Sequence, residues 1–110
     1  MPPDFGAIVL VPFPFTDLSA TKVRPALVVS QPDRTTRDVI VCFITSRLED
    51  EGVRGVALQP TSKNGLKTPS MVRFDKIATL DRGVILGEIG RIEPATLRKH
   101  QKEFFSVFGF

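Results

Sequence analysis

The sequence predicts a mainly β protein: a small antiparallel sheet, curled toward a barrel, with a C-terminal amphipathic helix. Two observations predict it. Short apolar runs recur through most of the chain, each stopped by proline, glycine or charged residues. Only after Pro94 does the apolar spacing change to that of a helix, so helices do not alternate with strands as a parallel α/β fold requires.

The elements follow in order. Ile8-Val9-Leu10-Val11, after Gly6, is a buried strand, ended by Pro12-Phe13-Pro14-Phe15. Proline donates no ladder hydrogen bond, so that segment is extended loop or sheet edge. Thr16 to Val23 is polar and loop-like, and Ala26-Leu27-Val28-Val29 is the second strand, stopped by Ser30-Gln31-Pro32-Asp33. Val39 to Ile44 is a third strand rich in β-branched residues. Glu49 to Gly52 is a charged turn, and Val53 to Leu58 a fourth strand. Pro60 to Pro69 holds Asn64-Gly65 and is a long loop. Ser70 to Leu80 sets Met71 and Arg73 against Val72 and Phe74, a strand with two distinct faces. Asp81-Arg82-Gly83 turns, and Ile85 to Ile89 is a sixth strand. Glu93-Pro94 then opens a helix of about four turns, with Leu97, Gln101, Phe104 and Phe108 on one stripe.

Length and composition bound the function. The 110 residues suffice for one domain, residues 1–110, and 42% hydrophobic with 25% charged residues is a globular balance. Fifteen Lys and Arg against twelve Asp and Glu give a net charge of +3, mildly basic and compatible with a nucleic-acid surface. Cys42 is the only cysteine and His100 the only histidine, so an internal disulfide and a Cys- or His-built metal centre are excluded. With nine Phe but no Tyr and no Trp, there is no catalytic phenol and no Tyr or Trp stacking platform. No apolar run approaches the roughly 18–20 residues of a membrane span. Met1-Pro2-Pro3-Asp4 lacks the basic start of a secretion signal, so the expected compartment is the reducing cytoplasm, with no membrane partner.

Two segments stand out chemically. In Lys22-Val23-Arg24-Pro25-Ala26, Pro25 holds Arg24 extended at the entrance to a strand. A guanidinium held there suits bidentate binding of a phosphate; it also suits a surface role, snorkelling over Leu or Phe or pairing with Asp17. In Ile44-Thr45-Ser46-Arg47, two adjacent hydroxyls end the third strand. They suit a phosphate or ribose oxygen, and equally a turn in which Thr or Ser bonds the local backbone. In an up-and-down arrangement the start of one strand faces the end of the next, which permits Arg24 and Thr45 to share a rim. Carboxylates converge less well: Asp75 and Asp81 lie apart, and Glu49-Asp50-Glu51 reads as a solvated turn rather than a two-metal site.

Three segments, in this order, resemble the MazF/PemK-like toxins of bacterial toxin–antitoxin systems. They are Gly6-Ala7-Ile8-Val9-Leu10-Val11-Pro12-Phe13-Pro14-Phe15, then Lys22-Val23-Arg24-Pro25-Ala26-Leu27-Val28-Val29-Ser30, then Ile44-Thr45-Ser46. The likeness continues through Pro69-Ser70-Met71-Val72, Asp75-Lys76-Ile77-Ala78 and Leu86-Gly87-Glu88-Ile89-Gly90-Arg91. It implies an SH3-like barrel, usually a homodimer, and metal-independent, sequence-selective endoribonuclease action on single-stranded RNA without a cofactor. It also implies a cognate antitoxin that covers the RNA groove. The family's catalytic arginine and threonine fall on Arg24 and Thr45, with Ser46 as a neighbouring helper. Lys63, Lys67, Arg73, Lys76 and Arg82 are candidates to line a groove for RNA phosphates, joined by Asp17, Ser19, Lys22, Arg47 and Ser70. The chain departs from the family in lacking the Trp common in the first strand, and in carrying Lys76 and Ala78 where many members have Gln and Arg.

The chemistry implied is attack of the RNA 2′-hydroxyl on the adjacent phosphorus, leaving a 2′,3′-cyclic phosphate and a 5′-hydroxyl. Arg24 suits the developing charge. A single histidine gives no acid/base pair, so the proton acceptor is left to Asp17, another loop group or the substrate. A rival reading takes the Phe-rich end, Phe104 to Phe110, as the apolar tip of a non-enzymatic toxin of the same fold that binds a protein such as DNA gyrase. The same rings at helical spacing equally suit packing on the barrel or on a second subunit.

Overall fold

The computed structural model describes residues 3–12, 22–33, 35–48 and 54–109. The proline-phenylalanine segment after Pro12, Asp17, Ser19, the charged turn at 49–52 and Phe110 lie outside the described residues.

Six antiparallel strands form one sheet in the order β4-β5-β3-β2-β1-β6, curled into a half-barrel. They are β1 (Ala7–Pro12), β2 (Val23–Val28), β3 (Asp38–Thr45), β4 (Gly55–Leu58), β5 (Ser70–Asp81) and β6 (Gly87–Arg91). The mainly β expectation holds, and the chain ends in two short helices, α1 (Pro94–Lys99) and α2 (Gln101–Ser106). The single four-turn helix expected from the apolar spacing is thus divided at His100, which leaves the helical region with φ −105° and ψ 12°. The division lets Leu97 and Phe104 both reach the core, and Phe104 stacks edge-on against Phe74 at 5.3 Å. Phe108 leans on Phe104, while Phe105 and Phe108 stay about half exposed.

The apolar runs are continuous rather than alternating because the central strands are covered on both faces. Ile8, Leu27, Cys42, Ile44, Val72 and Phe74 pack beneath the helices. Ala7, Val9, Val11, Ala26, Val28 and Val41 form a second layer on the other face, with Ala78, Leu80 and Ile85 against it. The expected sixth strand moves two residues later, because Asp81 caps a 3-10 turn at Arg82–Val84 by accepting from the Gly83 amide at 2.7 Å.

Two irregularities shape one end of this sheet. β2 begins earlier than the apolar run suggests and takes Pro25 inside it, where Pro25 faces Leu10 of β1. On the other side, pairing with β3 starts only at Ala26↔Phe43. Proline has no N–H to continue that ladder. On β5, Cys42↔Ile77 is followed by Ile44↔Val72, so Phe43 alone spans the stretch Arg73–Lys76. That bulge bends β5 and re-aims its side chains.

Two outcomes follow from the core. Phe74→Ala, at a position 2% exposed, costs about 3–5 kcal/mol in urea unfolding. Burial, with the Asp75 charge adding to it, pushes the Cys42 thiol up to about 12. Cys42 in the native protein at pH 8 is therefore unreactive toward iodoacetamide and reacts on unfolding. The raised value means this contribution to stability is whole below about pH 8.5, where the unfolded thiol begins to ionise. It then declines as pH rises toward the folded value, which alkaline unfolding curves of the wild type and Cys42→Ala measure.

Candidate active site

The two irregularities lie together. Continuing the β2–β3 register past Ala26↔Phe43 sets Arg24 opposite Thr45. The ladder pairing ends at Ala26↔Phe43, and the next residue of β2, Pro25, has no N–H to extend it. Arg24 and Thr45 both line a cleft of about 730 Å³, with Ser46 and Arg47 beyond the end of β3. The β5 bulge supplies the opposite wall: Arg73, Asp75, Lys76 and Ile77.

The local chemistry at Thr45 is specific. Its Oγ1 accepts the amide hydrogen of Arg47 at 3.1 Å, closing a small turn. The backbone-bonding turn is thus present and uses one lone pair of the hydroxyl, which keeps its proton and a second lone pair. Arg73 binds Asp75 in a two-pronged ion pair, Nε to Oδ1 at 2.9 Å and Nη2 to Oδ2 at 2.7 Å. The hydrogen-bonded Arg73 guanidinium holds the Asp75 carboxyl below its ordinary value, and Lys76 adds to the effect. Among the described residues the lining holds Arg24, Arg47, Arg73 and Lys76 against the one carboxylate of Asp75, an excess of positive charge suited to phosphodiesters. No group of three His, Cys, Asp or Glu that could hold a metal occurs among them.

A second hollow, a slot of about 300 Å³, shares Arg24, Thr45 and Ser46 with the cleft. Lys67 and Ser70 line it, together with aliphatic side chains of β1, β2 and β6. The remaining sequence candidates fall elsewhere. Lys22 is exposed just before β2 and lines neither hollow. Lys63 lies on the far side of its loop, paired with Glu93 at 3.1 Å. Arg82 follows the end of β5 that pairs with the start of β3, about 23 Å from Thr45 along that strand. His100 lies with α1 and α2, 3.3 Å from Glu103. Charge alone does not say which end of a sheet a lysine or arginine occupies. Conversely, Asp75 enters the cleft because of the bulge, which an alternating strand pattern conceals.

Fold and cleft define a small curled-sheet β protein with a basic, phosphodiester-sized site at one end. The family model for the PemK-like, MazF-like toxin of type II toxin–antitoxin systems matches residues 4–108. The chain belongs to that family. It is 32% identical over 90 residues to a protein of Mycolicibacterium smegmatis named Probable endoribonuclease MazF, spanning 80% of this chain and 82% of that one. The crystal structure of MazF from Deinococcus radiodurans superposes with a TM-score of 0.77 at 25% identity, over 100% of this chain and 99% of that one. A mycobacterial endoribonuclease in complex with its cognate antitoxin gives 0.75 at 24%, over 98% and 96%.

The ion pair generates a pH outcome. A depressed carboxyl keeps Asp75 ionised through neutral pH, and the pair's contribution is lost only as pH falls below the ordinary carboxylate value of about 3.9. Carboxyl carbon shifts followed by NMR give an Asp75 midpoint below that value, and Arg73→Ala raises it.

Proposed function

We propose that this chain is a toxin acting as a metal-independent, sequence-selective endoribonuclease on single-stranded RNA, with Arg24 and Thr45 as catalytic residues. The observation that carries the reading is that both line one basic cleft, at strand ends that an extension of the β2–β3 register sets opposite each other. The family membership and the endoribonuclease name of the M. smegmatis relative support it over a non-enzymatic toxin.

The step balances within RNA. The 2′-oxygen forms a bond to phosphorus, the bond from phosphorus to the 5′-oxygen breaks, and the products are a 2′,3′-cyclic phosphate and a 5′-hydroxyl. Arg24 meets the charge that builds on the non-bridging oxygens, and Thr45 donates to the same phosphate. The 2′-hydroxyl proton passes to a non-bridging oxygen of the substrate phosphate and from there to the departing 5′-oxygen, while Asp75, both oxygens held by Arg73, fixes that guanidinium in the cleft. Ser46 assists Thr45. Arg47, Lys67 and Lys76 hold flanking phosphates.

The family description supports a cognate antitoxin as partner, covering this basic cleft. The half-exposed Phe105 and Phe108 support a homodimer. No helix among the described residues is long and apolar enough to cross a membrane, in keeping with a toxin acting in the cytoplasm.

Purified protein with RNA in EDTA is the test. Cleavage leaves 2′,3′-cyclic phosphate ends, Arg24→Ala lowers kcat/KM by about 10²–10³-fold, and Arg24→Lys restores little because a point charge cannot bind two oxygens in one plane. Absence of cleavage, or equal cleavage by Arg24→Ala, overturns the reading.

A further inference from the structure

A third hollow, of about 490 Å³, lies against the C-terminal helices and shares no lining residue with the cleft or the slot. Val29, in its wall, follows the far end of β2, about 17 Å along that strand from Arg24. Its size is that of a small-molecule site, and the endoribonuclease reading makes no use of it.

The hollow is built mostly of rings. Phe74, 2% exposed, lies at its floor, while Phe5 and Phe105, 42% and 45% exposed, stand at its mouth. Phe104 links the two levels, its ring 5.3 Å from Phe74 and 6.0 Å from Phe105. Ile92, Leu97 and Val29 add aliphatic wall. The side next to Phe5 is fixed. The Arg91 guanidinium donates to Asp4 at 2.7 Å and to the Phe5 carbonyl at 2.9 Å, and the Ile92 amide donates to the Gly6 carbonyl at 2.9 Å. Rings held at set angles suit a flat aromatic body better than a flexible chain, because ring pairs gain from edge and face contacts beyond the area they bury.

The charge of the lining has one sign. Arg91, Arg98, His100 and Gln101 contribute its polar groups, and no carboxylate does. The acids behind it are engaged: Asp4 with Arg91, and Glu103 with His100 Nδ1 at 3.3 Å and with the Gly55 amide at 3.2 Å. Arg98 and Gln101 stand on either side of the break at His100, and neither side chain has a partner among the described residues. Two uncommitted donors beside an apolar hollow suit an anionic acceptor, and a guanidinium matches a carboxylate in its own plane.

We propose that this hollow binds a small aromatic carboxylate, its flat body held among the phenylalanine rings and its carboxylate by Arg98 and Gln101. The site stands apart from the cleft, and the proposal does not rest on the endoribonuclease reading.

Methyl NMR of the full chain, run beside light scattering, is the test. On titration with 2-naphthoate at neutral pH, the Val29, Ile92 and Leu97 methyls shift along one saturating curve, while the Thr45 methyl at the cleft stays still. The uncharged 2-naphthalenemethanol binds about tenfold more weakly. Decanoate, with the same charge on a flexible chain, also binds more weakly than 2-naphthoate. Arg98→Ala loses about tenfold in affinity for 2-naphthoate, and Arg98→Glu takes 2-naphthylmethylammonium in preference to it. Arg98 is exposed on α1, so neither variant touches the core.

Still methyls at Val29, Ile92 and Leu97 overturn the site. So does equal affinity for 2-naphthoate and its alcohol, or for 2-naphthoate and decanoate, or an unchanged charge preference in Arg98→Glu. A Thr45 methyl that moves with the same midpoint puts the anion in the basic cleft instead. A molar mass that falls as 2-naphthoate is added gives the hollow to a second copy of the chain, which likewise overturns the proposal. No arm uses RNA cleavage, so failure here leaves the nuclease standing.

Discussion

A single missing hydrogen-bond donor organises this molecule's functional end. Pro25 sits within a central strand, where an ordinary residue would carry the β2–β3 ladder one step further. Without its N–H the ladder stops at Ala26, and Arg24 and Thr45, two steps further in register, both line the cleft. The same ring keeps Arg24 extended. The place of Arg24 at the strand entrance thus follows from one side chain, and the buried layers on both faces of the sheet hold the frame on which it is set.

The β5 bulge completes what Pro25 begins. Stretching four residues across one residue of β3 turns Arg73, Asp75 and Lys76 toward the opening. Mutual pairing of Arg73 and Asp75 keeps the carboxylate ionised and fixes both side chains in the wall of the cleft. On the other side the loop of residues 59–69, locked by Asn64 and by the close approach of Gly65 to Ile89, walls the second hollow. Arg24, Thr45 and Ser46 therefore stand between two hollows and line both.

Much of this was legible in the sequence where local chemistry decides. Strand positions followed from continuous apolar runs, and Arg24 and Thr45 stood out at strand ends next to a proline and a serine, their catalytic roles coming only from the family resemblance. Less was legible where long-range pairing decides. Nothing in Met71 to Leu80 distinguishes a bulged strand from an even one, so Asp75 read as a distant carboxylate. Leu97, Gln101, Phe104 and Phe108 keep helical spacing straight through His100, and only packing of Leu97 and Phe104 on the sheet reveals the break. Lys63 and Arg82 lie away from the cleft, Lys63 paired with Glu93 and Arg82 at the far end of β5, places that topology sets.

The central claim is that Arg24 and Thr45 act on one phosphate. A double-mutant cycle measures it directly: kcat/KM for a defined single-stranded RNA, in EDTA, with Arg24→Ala, Thr45→Val and the pair combined. Two groups serving the same oxygens give strongly non-additive losses, the double variant falling little below Arg24→Ala alone. Losses that multiply as independent factors would contradict the account.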